Sequence, residues 1–261
     1  MDIVVLMKQV PDTAALIQID DDNVNIKTED VKWVINPYDE LAVEEAIRIR
    51  EKQGAGKVTV LTVGMESAAA NIKTALAMGA DEGILIGDPA LEKIDPQITA
   101  KVIAAALKNL HFDLIIAGPR ALDDDASYVP AAVSVYLDIP LLPTVIRQEI
   151  ISGKIRCEQV VQDGIMVVEA NLPAFMTTQR GLNEPRYPSL ANIMKAKKKK
   201  IHTKTLADIG LSPDPKWHKT PTVSLAYPPG RSAGKVVIEG GTAGEKAARL
   251  LNLLRDKAGA L

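Results

Sequence analysis

The sequence predicts an α/β fold: a parallel sheet with crossover helices, a β-hairpin extension and a C-terminal arm. Three observations predict it. Short, continuous apolar runs alternate with amphipathic stretches over roughly the first half of the chain. Turn signals then separate a series of β-prone runs after Pro140. Beyond Leu211, prolines and polar residues take over.

Residues 3–7, 58–63, 83–86 and 114–117 are short and apolar throughout, as strands buried on both faces must be. Amphipathic patterns lie between them. Residues 37–52 place Leu41, Val43, Ala46, Ile47 and Ile49 on one side and charges on the other, which predicts a helix. Residues 67–78 form a second, stopped by Gly79. A third runs from Asp95 to Leu110, with Asp95 as N-cap and Pro96 at the first helical position. Strand–helix alternation at this spacing gives a parallel sheet with helical crossovers.

Residues 143–150, 154–161, 165–170 and 174–178 read as β segments. Ser152-Gly153, Asp163-Gly164 and Leu172-Pro173 separate them, so hairpins are expected on the sheet edge. Pro213, Pro215, Pro221, Pro228 and Pro229 stand among polar residues that cannot build a core, which predicts an extended arm. A final helix over 242–257 carries Ala247, Leu250, Leu251 and Leu254 on one stripe. It suits either another subunit or its own domain. The expected division is 1–210 for the α/β domain with its extension and 211–261 for the arm.

Composition narrows the function. Of 261 residues 47% are apolar, enough for a substantial core, and the net charge is −2, so any basic run is local. Aromatic residues make up 3%, too few for a base-stacking platform, and no nucleic-acid partner is expected. A lone cysteine, Cys157, excludes an internal disulfide and cysteine-built metal centres. No apolar run approaches the roughly 20 residues that span a bilayer. The first strand begins at once, which predicts a cytoplasmic-type protein without a targeting peptide.

Residues 179–200 put an apolar patch beside a basic run. Leu182, Leu190, Ile193 and Met194 sit among turn-forming residues, and Pro185 and Pro188 bias Glu184 and Tyr187 away from helix. A short loop over 187–191 with Leu190 near its tip is therefore expected, followed by solvated Lys195, Lys197, Lys198, Lys199 and Lys200. An apolar anchor beside a positive field suits brief docking on an acidic partner. The plainer alternative is a loop folded onto its own core beside a solvated charge run.

Ligand chemistry belongs at the carboxyl ends of the parallel strands. Three segments meet there: residues 6–8, the run Asn36-Pro37-Tyr38-Asp39, and the loop 118–129, expected to open a helix through Tyr136. Free amides at that helix start, with the Ser127 hydroxyl, offer a phosphate site. Asn36 and nearby backbone groups are candidates for reading an adenine edge. Helix capping and dipole compensation are the plainer roles for Asp123, Asp124 and Asp125. His111, His202 and His218 are scattered, and no nucleophile, P-loop or dinucleotide fingerprint is present, so no metal site and no catalytic residues are expected.

Three blocks resemble the beta subunit of electron-transfer flavoprotein. They are Asn183-Glu184-Pro185-Arg186-Tyr187 with residues 192–200, Val34-Ile35-Asn36-Pro37-Tyr38-Asp39-Glu40 with residues 42–46, and Ala77-Met78-Gly79-Ala80-Asp81. The resemblance implies a Rossmann-like, adenine-nucleotide-binding sheet and an electron carrier rather than an enzyme. It implies a heterodimer whose alpha subunit holds most of the FAD and is contacted by the tail. Electrons would come from flavoprotein dehydrogenases, typically of the acyl-CoA dehydrogenase type, and go to a quinone-linked oxidoreductase. Tyr187, Leu190, Ile193 and Met194 would contact the dehydrogenase. A nucleotide, structural AMP or a second FAD in a bifurcating variant that oxidises NADH, would lie against Leu6, Asn36, Pro37, Tyr38, Asp39, Val63, Gly118, Asp123, Asp124, Asp125, Ala126, Ser127, Tyr128 and Val129. Ser127-Tyr128-Val129-Pro130 stands where AMP-binding members of that family carry Asn-Gln-Thr-Gly. A universal-stress-type nucleotide-binding protein would share the sheet and its loops, but not the lysine run or the arm.

Overall fold

Ile3, Val4, Val5 and Leu6 are all buried, and β1 (Ile3–Leu6) accordingly lies inside the sheet with parallel neighbours on both sides. It pairs with β4 (Val58–Val63) in the register Ile3↔Val58, and with β6 (Leu114–Ala117) in the register Ile3↔Leu114. The computed structural model describes residues 1–92, 94–214, 217, 220–228 and 236–258; Pro215, His218 and Pro229 lie outside them. Among the described residues one sheet has nine strands, in the order β11 (Ile201–Lys204), β5 (Glu82–Ile86), β4, β1, β6, β10 (Ala174–Thr178), β7 (Leu141–Ile151), β8 (Lys154–Val161) and β9 (Gly164–Asn171). A separate antiparallel ribbon joins β2 (Gln9–Pro11) to β3 (Trp33–Ile35).

Each helix begins and ends where local chemistry requires. α1 (Pro37–Gln53) starts on Pro37 and stops at Gly54, whose left-handed backbone (φ 71°) returns its N–H to Arg50 and Glu51. After β4, a 3-10 turn over Glu66–Ala68 leads into α2 (Ala69–Met78), which ends at Gly79 as expected. β5 (Glu82–Ile86) follows. α3 (Pro96–Leu107) is capped by Asp95, whose Oδ1 accepts the Ile98 amide at 2.8 Å; it ends three residues earlier than the pattern suggested. β6 then leads through a long loop to α4 (Val129–Leu137). Two apolar layers result, one on each face of the sheet. Ala46, Ile47, Ile72 and Leu76 fill one with Ile3 and Val5; Ile98, Val102, Ile103, Leu107 and Val133 fill the other with Val4 and Leu6.

The extension departs from a plain hairpin series. β7 (Leu141–Ile151), β8 (Lys154–Val161) and β9 (Gly164–Asn171) form an antiparallel meander at one edge, as expected. β10 (Ala174–Thr178) instead inserts between β6 and β7, parallel to both, with all five residues buried. Periodicity cannot distinguish an edge strand from a central one in so short an apolar run.

Two further corrections concern residues 187–204. Leu190 is not at a loop tip: it is the first residue of α5 (Leu190–Lys198), capped by Ser189, whose Oγ accepts the Asn192 amide at 3.2 Å. Nor is the lysine run wholly solvated. Lys199 is half-buried, and its ammonium donates to the Ala80 carbonyl at 2.6 Å. β11 (Ile201–Lys204) follows at once and extends the opposite edge of the sheet, parallel to β5.

The chain divides into two compact units: residues 1–18 with 26–223, and residues 19–25 with 224–261. Within the second, the Leu225 amide donates to the Asn23 carbonyl at 2.6 Å and the Ile19 amide to the Tyr227 hydroxyl at 2.9 Å. Its helix α6 (Ala243–Leu253) opens with a reciprocal capping box between Thr242 and Glu245, then continues as a π-helical turn over Leu254–Ala258. Leu250, Leu251 and Leu254 are exposed. No helix among the described residues is long and apolar enough to cross a membrane.

Candidate nucleotide cleft and docking element

The carboxyl ends of β1, β4 and β6 open onto a cleft of about 230 Å³, closed on the far side by the start of α3. Asp39, in the first turn of α1, is buried beneath it and ties two of those strand ends together. Its Oδ2 accepts the Lys8 amide and its Oδ1 the Gly118 amide, both at 2.8 Å. Burial pushes this carboxyl up to about 7, against the downward pull of the two amides. The approach also requires glycine at 118, since a β-carbon there would meet Asp39 Oδ1 and Tyr38 Cβ at 2.6 Å.

The loop between β6 and α4 forms the cleft's outer wall, and side chains from the opposite strand ends hold it. Asn36 donates from Nδ2 to the Arg120 carbonyl (2.9 Å) and accepts the Leu122 amide on Oδ1 (3.3 Å). Its amide group therefore has a structural task within the cleft wall. Lys8 pairs with Asp123 at 2.8 Å and with Asp124 at 3.0 Å. Burial works against the Lys8 charge, but these carboxylates raise its pKa overall. Arg120 pairs with Asp125 at 3.1 Å, donates to the Tyr38 hydroxyl at 3.2 Å, and lies over the Tyr38 ring. Asp125 (φ 50°) and Ser127 (φ 51°) both adopt left-handed backbone, which non-glycine residues enter at a cost.

The helix that this loop opens starts at its last residue, Val129. Asp123, Asp124 and Asp125 consequently cap nothing; they pair with Lys8 and Arg120. α4 has no side-chain cap, and Tyr128, Val129 and Pro130 at its start line the cleft. Pro130 removes one first-turn amide, leaving those of Val129 and Ala131 as anion donors.

Of the residues expected to hold a nucleotide, Leu6, Asn36, Asp39, Val63, Gly118, Asp124, Ala126, Ser127, Tyr128 and Val129 line the cleft. Pro37, Tyr38, Asp123 and Asp125 do not line it. The far wall, made by Leu91 and Ile94 ahead of α3 and by Thr99 and Ile103 on it, carries no signal in the sequence. Only the sheet order, which brings α3 over β1 and β4, could have pointed to it.

The second candidate site lies on the other side of α1. Asn183 Nδ2 donates to the Leu41 carbonyl (3.1 Å) and to Glu45 Oε2 (2.7 Å). Arg186 reaches Glu44 and Glu51 at 2.8 Å each, and Arg48 closes on Glu44 at 2.5 Å. Burial would raise the Glu44 carboxyl, but the two arginines hold it below the usual carboxylate range. Beyond this fastened stretch the chain turns outward. Tyr187 is 98% exposed, Leu190 77%, Met194 53% and Ile193 36%. Leu182, by contrast, is half-buried against the core and is no part of the patch. The far end of α5 is held by Lys73 on α2, whose ammonium donates to the carbonyls of Ala196 (3.2 Å), Lys197 (3.3 Å) and Lys199.

An electron transfer flavoprotein domain profile matches residues 24–209. The chain is 39% identical to the electron transfer flavoprotein subunit beta of Bacillus subtilis over 259 residues, 99% of each chain. It is 36% identical to the same subunit of Bos taurus over 232 residues, 88% of this chain and 90% of that one.

The chain belongs to the electron transfer flavoprotein beta-subunit family.

The matched segment of this flavoprotein subunit takes in α1, the cleft loop and the candidate docking element. β1, which ends at Leu6, and Lys8 after it precede that segment. The 38% identity to the subunit beta of Mycobacterium tuberculosis extends over 257 residues, 95% of this chain and 97% of that one.

Proposed function

We propose that this chain is the beta half of a heterodimeric electron carrier. It accepts electrons from flavoprotein dehydrogenases, acyl-CoA dehydrogenases in particular, and delivers them to a quinone-linked oxidoreductase. The observation that carries the reading is the exposed quartet Tyr187, Leu190, Ile193 and Met194. Tyr187 directly follows a stretch fastened to α1, and Leu190, Ile193 and Met194 stand on a helix whose last turn carries Lys195, Lys197 and Lys198. A monomer has no use for a presented leucine beside a positive field, whereas a shuttle needs fast encounter and weak, oriented contact. Burying Leu190 in a partner pocket supplies about 1.5–3 kcal/mol, enough to orient without delaying release.

FAD, held mainly by the alpha subunit, supplies the redox chemistry when bound. This chain's own part is to support that subunit and to orient the dehydrogenase against the complex. The C-terminal arm and α6, with Leu250, Leu251 and Leu254 exposed, serve the contact with the alpha subunit.

The cleft fits AMP in a structural role. Leu6, Val63, Leu91 and Ile103 offer apolar walls to a flat base, and the uncapped start of α4 offers amides to one phosphate. Asp39, Asp123, Asp124 and Asp125 outnumber Lys8 and Arg120, and Pro130 lacks an N–H. The missing N–H leaves fewer donors at the helix start, a set that suits the single phosphate of AMP better than the two phosphates of a second FAD. Co-expression with its alpha subunit tests the reading. It predicts a yellow heterodimer that releases one FAD and one AMP on denaturation and is reduced by an acyl-CoA dehydrogenase. A colourless single chain, or two FAD per dimer, would refute the carrier or the AMP assignment respectively.

A further inference from the structure

Tyr187 and Leu190 are so exposed that they have almost no packing of their own to fix their direction. What fixes it lies immediately upstream. Arg186 sends Nε to Glu44 Oε2 at 2.8 Å, Nη1 to Glu51 Oε1 at 2.8 Å, and Nη2 to Glu51 Oε2 at 3.0 Å and Glu44 Oε1 at 3.2 Å. Its backbone amide also donates to Glu44 Oε2 at 3.2 Å. Glu44 has only 1% of its side chain exposed, so this carboxylate is a fixed point inside the protein. Arg48 braces the same carboxylate and donates from Nη2 to the Glu184 carbonyl at 3.0 Å. The segment therefore leaves α1 at one defined place and angle.

We propose that Arg186 is a positioning residue for docking: its fork onto Glu44 and Glu51 aims Leu190 at the dehydrogenase. The proposal rests on the docking role assigned to Leu190 above. Three features transmit the aim over so short a path. Pro185 and Pro188 flank the Arg186-Tyr187 pair and restrict its backbone. Ser189 then locks the start of α5 through the Asn192 amide. Lys73 holds the opposite end of that helix to α2. Leu190 thus sits four residues from the fork and on the first turn of a helix fixed at both ends. Arginine is the residue that can do this, because its planar guanidinium spans two carboxylates at once; lysine keeps the charge and loses the span. Orienting the anchor before encounter lowers the ordering cost of association, so loss of the fork weakens docking without touching the redox centre.

A double-mutant cycle in the flavin-loaded alpha–beta complex tests this, with a purified acyl-CoA dehydrogenase and its acyl-CoA substrate as the electron source. Arg186→Lys is expected to raise the KM for the complex about fivefold with kcat nearly constant. Amide exchange over residues 186–190 should quicken. In a Leu190→Ala background the same change should add almost nothing, since no anchor remains to be aimed. Glu51→Gln, which spares buried Glu44, should raise KM in the same direction by a smaller factor, and it decides the matter if Arg186→Lys fails to assemble. A wild-type KM in both Arg186→Lys and Glu51→Gln, or effects that multiply fully with Leu190→Ala, would overturn the positioning role. A wild-type KM in Leu190→Ala itself would instead bring down the docking reading, and this proposal with it.

Discussion

The Asp39 carboxylate and the Gly118 amide, 79 positions apart in the chain, meet at 2.8 Å at the floor of the cleft. The second carboxylate oxygen holds the Lys8 amide, so one side chain from α1 fixes the ends of both β1 and β6. Farther along the same helix, Glu44, Glu45 and Glu51 hold Asn183 and Arg186, ahead of the candidate docking helix. α1 thereby positions both candidate sites.

Gly118 tolerates no side chain. A β-carbon at 2.6 Å from Asp39 Oδ1 and Tyr38 Cβ must displace α1 from the strand end. Gly118→Ala should lower stability by about 1–3 kcal/mol, measured by urea unfolding, and should lower nucleotide retention in the purified complex.

Asp39 should give stability a pH slope of known sign. Its carboxyl titrates near 3.8 when unfolded and is pushed up to about 7 by burial in the folded chain. Between those values the folded state binds the extra proton, so the Asp39 contribution falls as pH rises through that window and is level above it. Asp39→Asn cannot titrate. The stability of wild type minus that of the variant should therefore decline from pH 5 to 7 and then flatten; a difference that grows with pH would contradict the assignment.

Lys73 caps the end of α5 from α2 with bonds to three carbonyls. Lys73→Met keeps much of the apolar stem and removes the donor. It should cost about 1–2 kcal/mol and speed amide exchange in α5 ahead of the sheet.

The parallel strands and their helices were legible in the sequence because each is a short apolar run or a capped amphipathic one: residues 58–63 and 114–117 were delimited correctly, and Asp95 caps as expected. β10 and β11 were not placed, because strand order is a long-range property that five or four residues do not encode. The start of α5 was missed for a different reason. Pro185 and Pro188 do exclude helix up to Tyr187, but the Ser189 cap that begins one at Leu190 was read as a turn signal. At the cleft, Asn36, Asp39 and the loop from Gly118 were found from the chain ends of strands, while Leu91, Ile94, Thr99 and Ile103 carry no chemical signature and become visible only once α3 is folded over the sheet. The Lys8 partner of Asp123 and Asp124 was hidden likewise, since it lies more than a hundred residues away in the chain.

Leu190, in the proposed function, orients a dehydrogenase on this flavoprotein. The direct measurement is the rate at which a catalytic amount of acyl-CoA dehydrogenase reduces the assembled complex carrying Leu190→Ala. The rate should be about tenfold lower at limiting complex, with FAD and nucleotide content at wild-type levels. Undiminished reduction by the same dehydrogenase would contradict it.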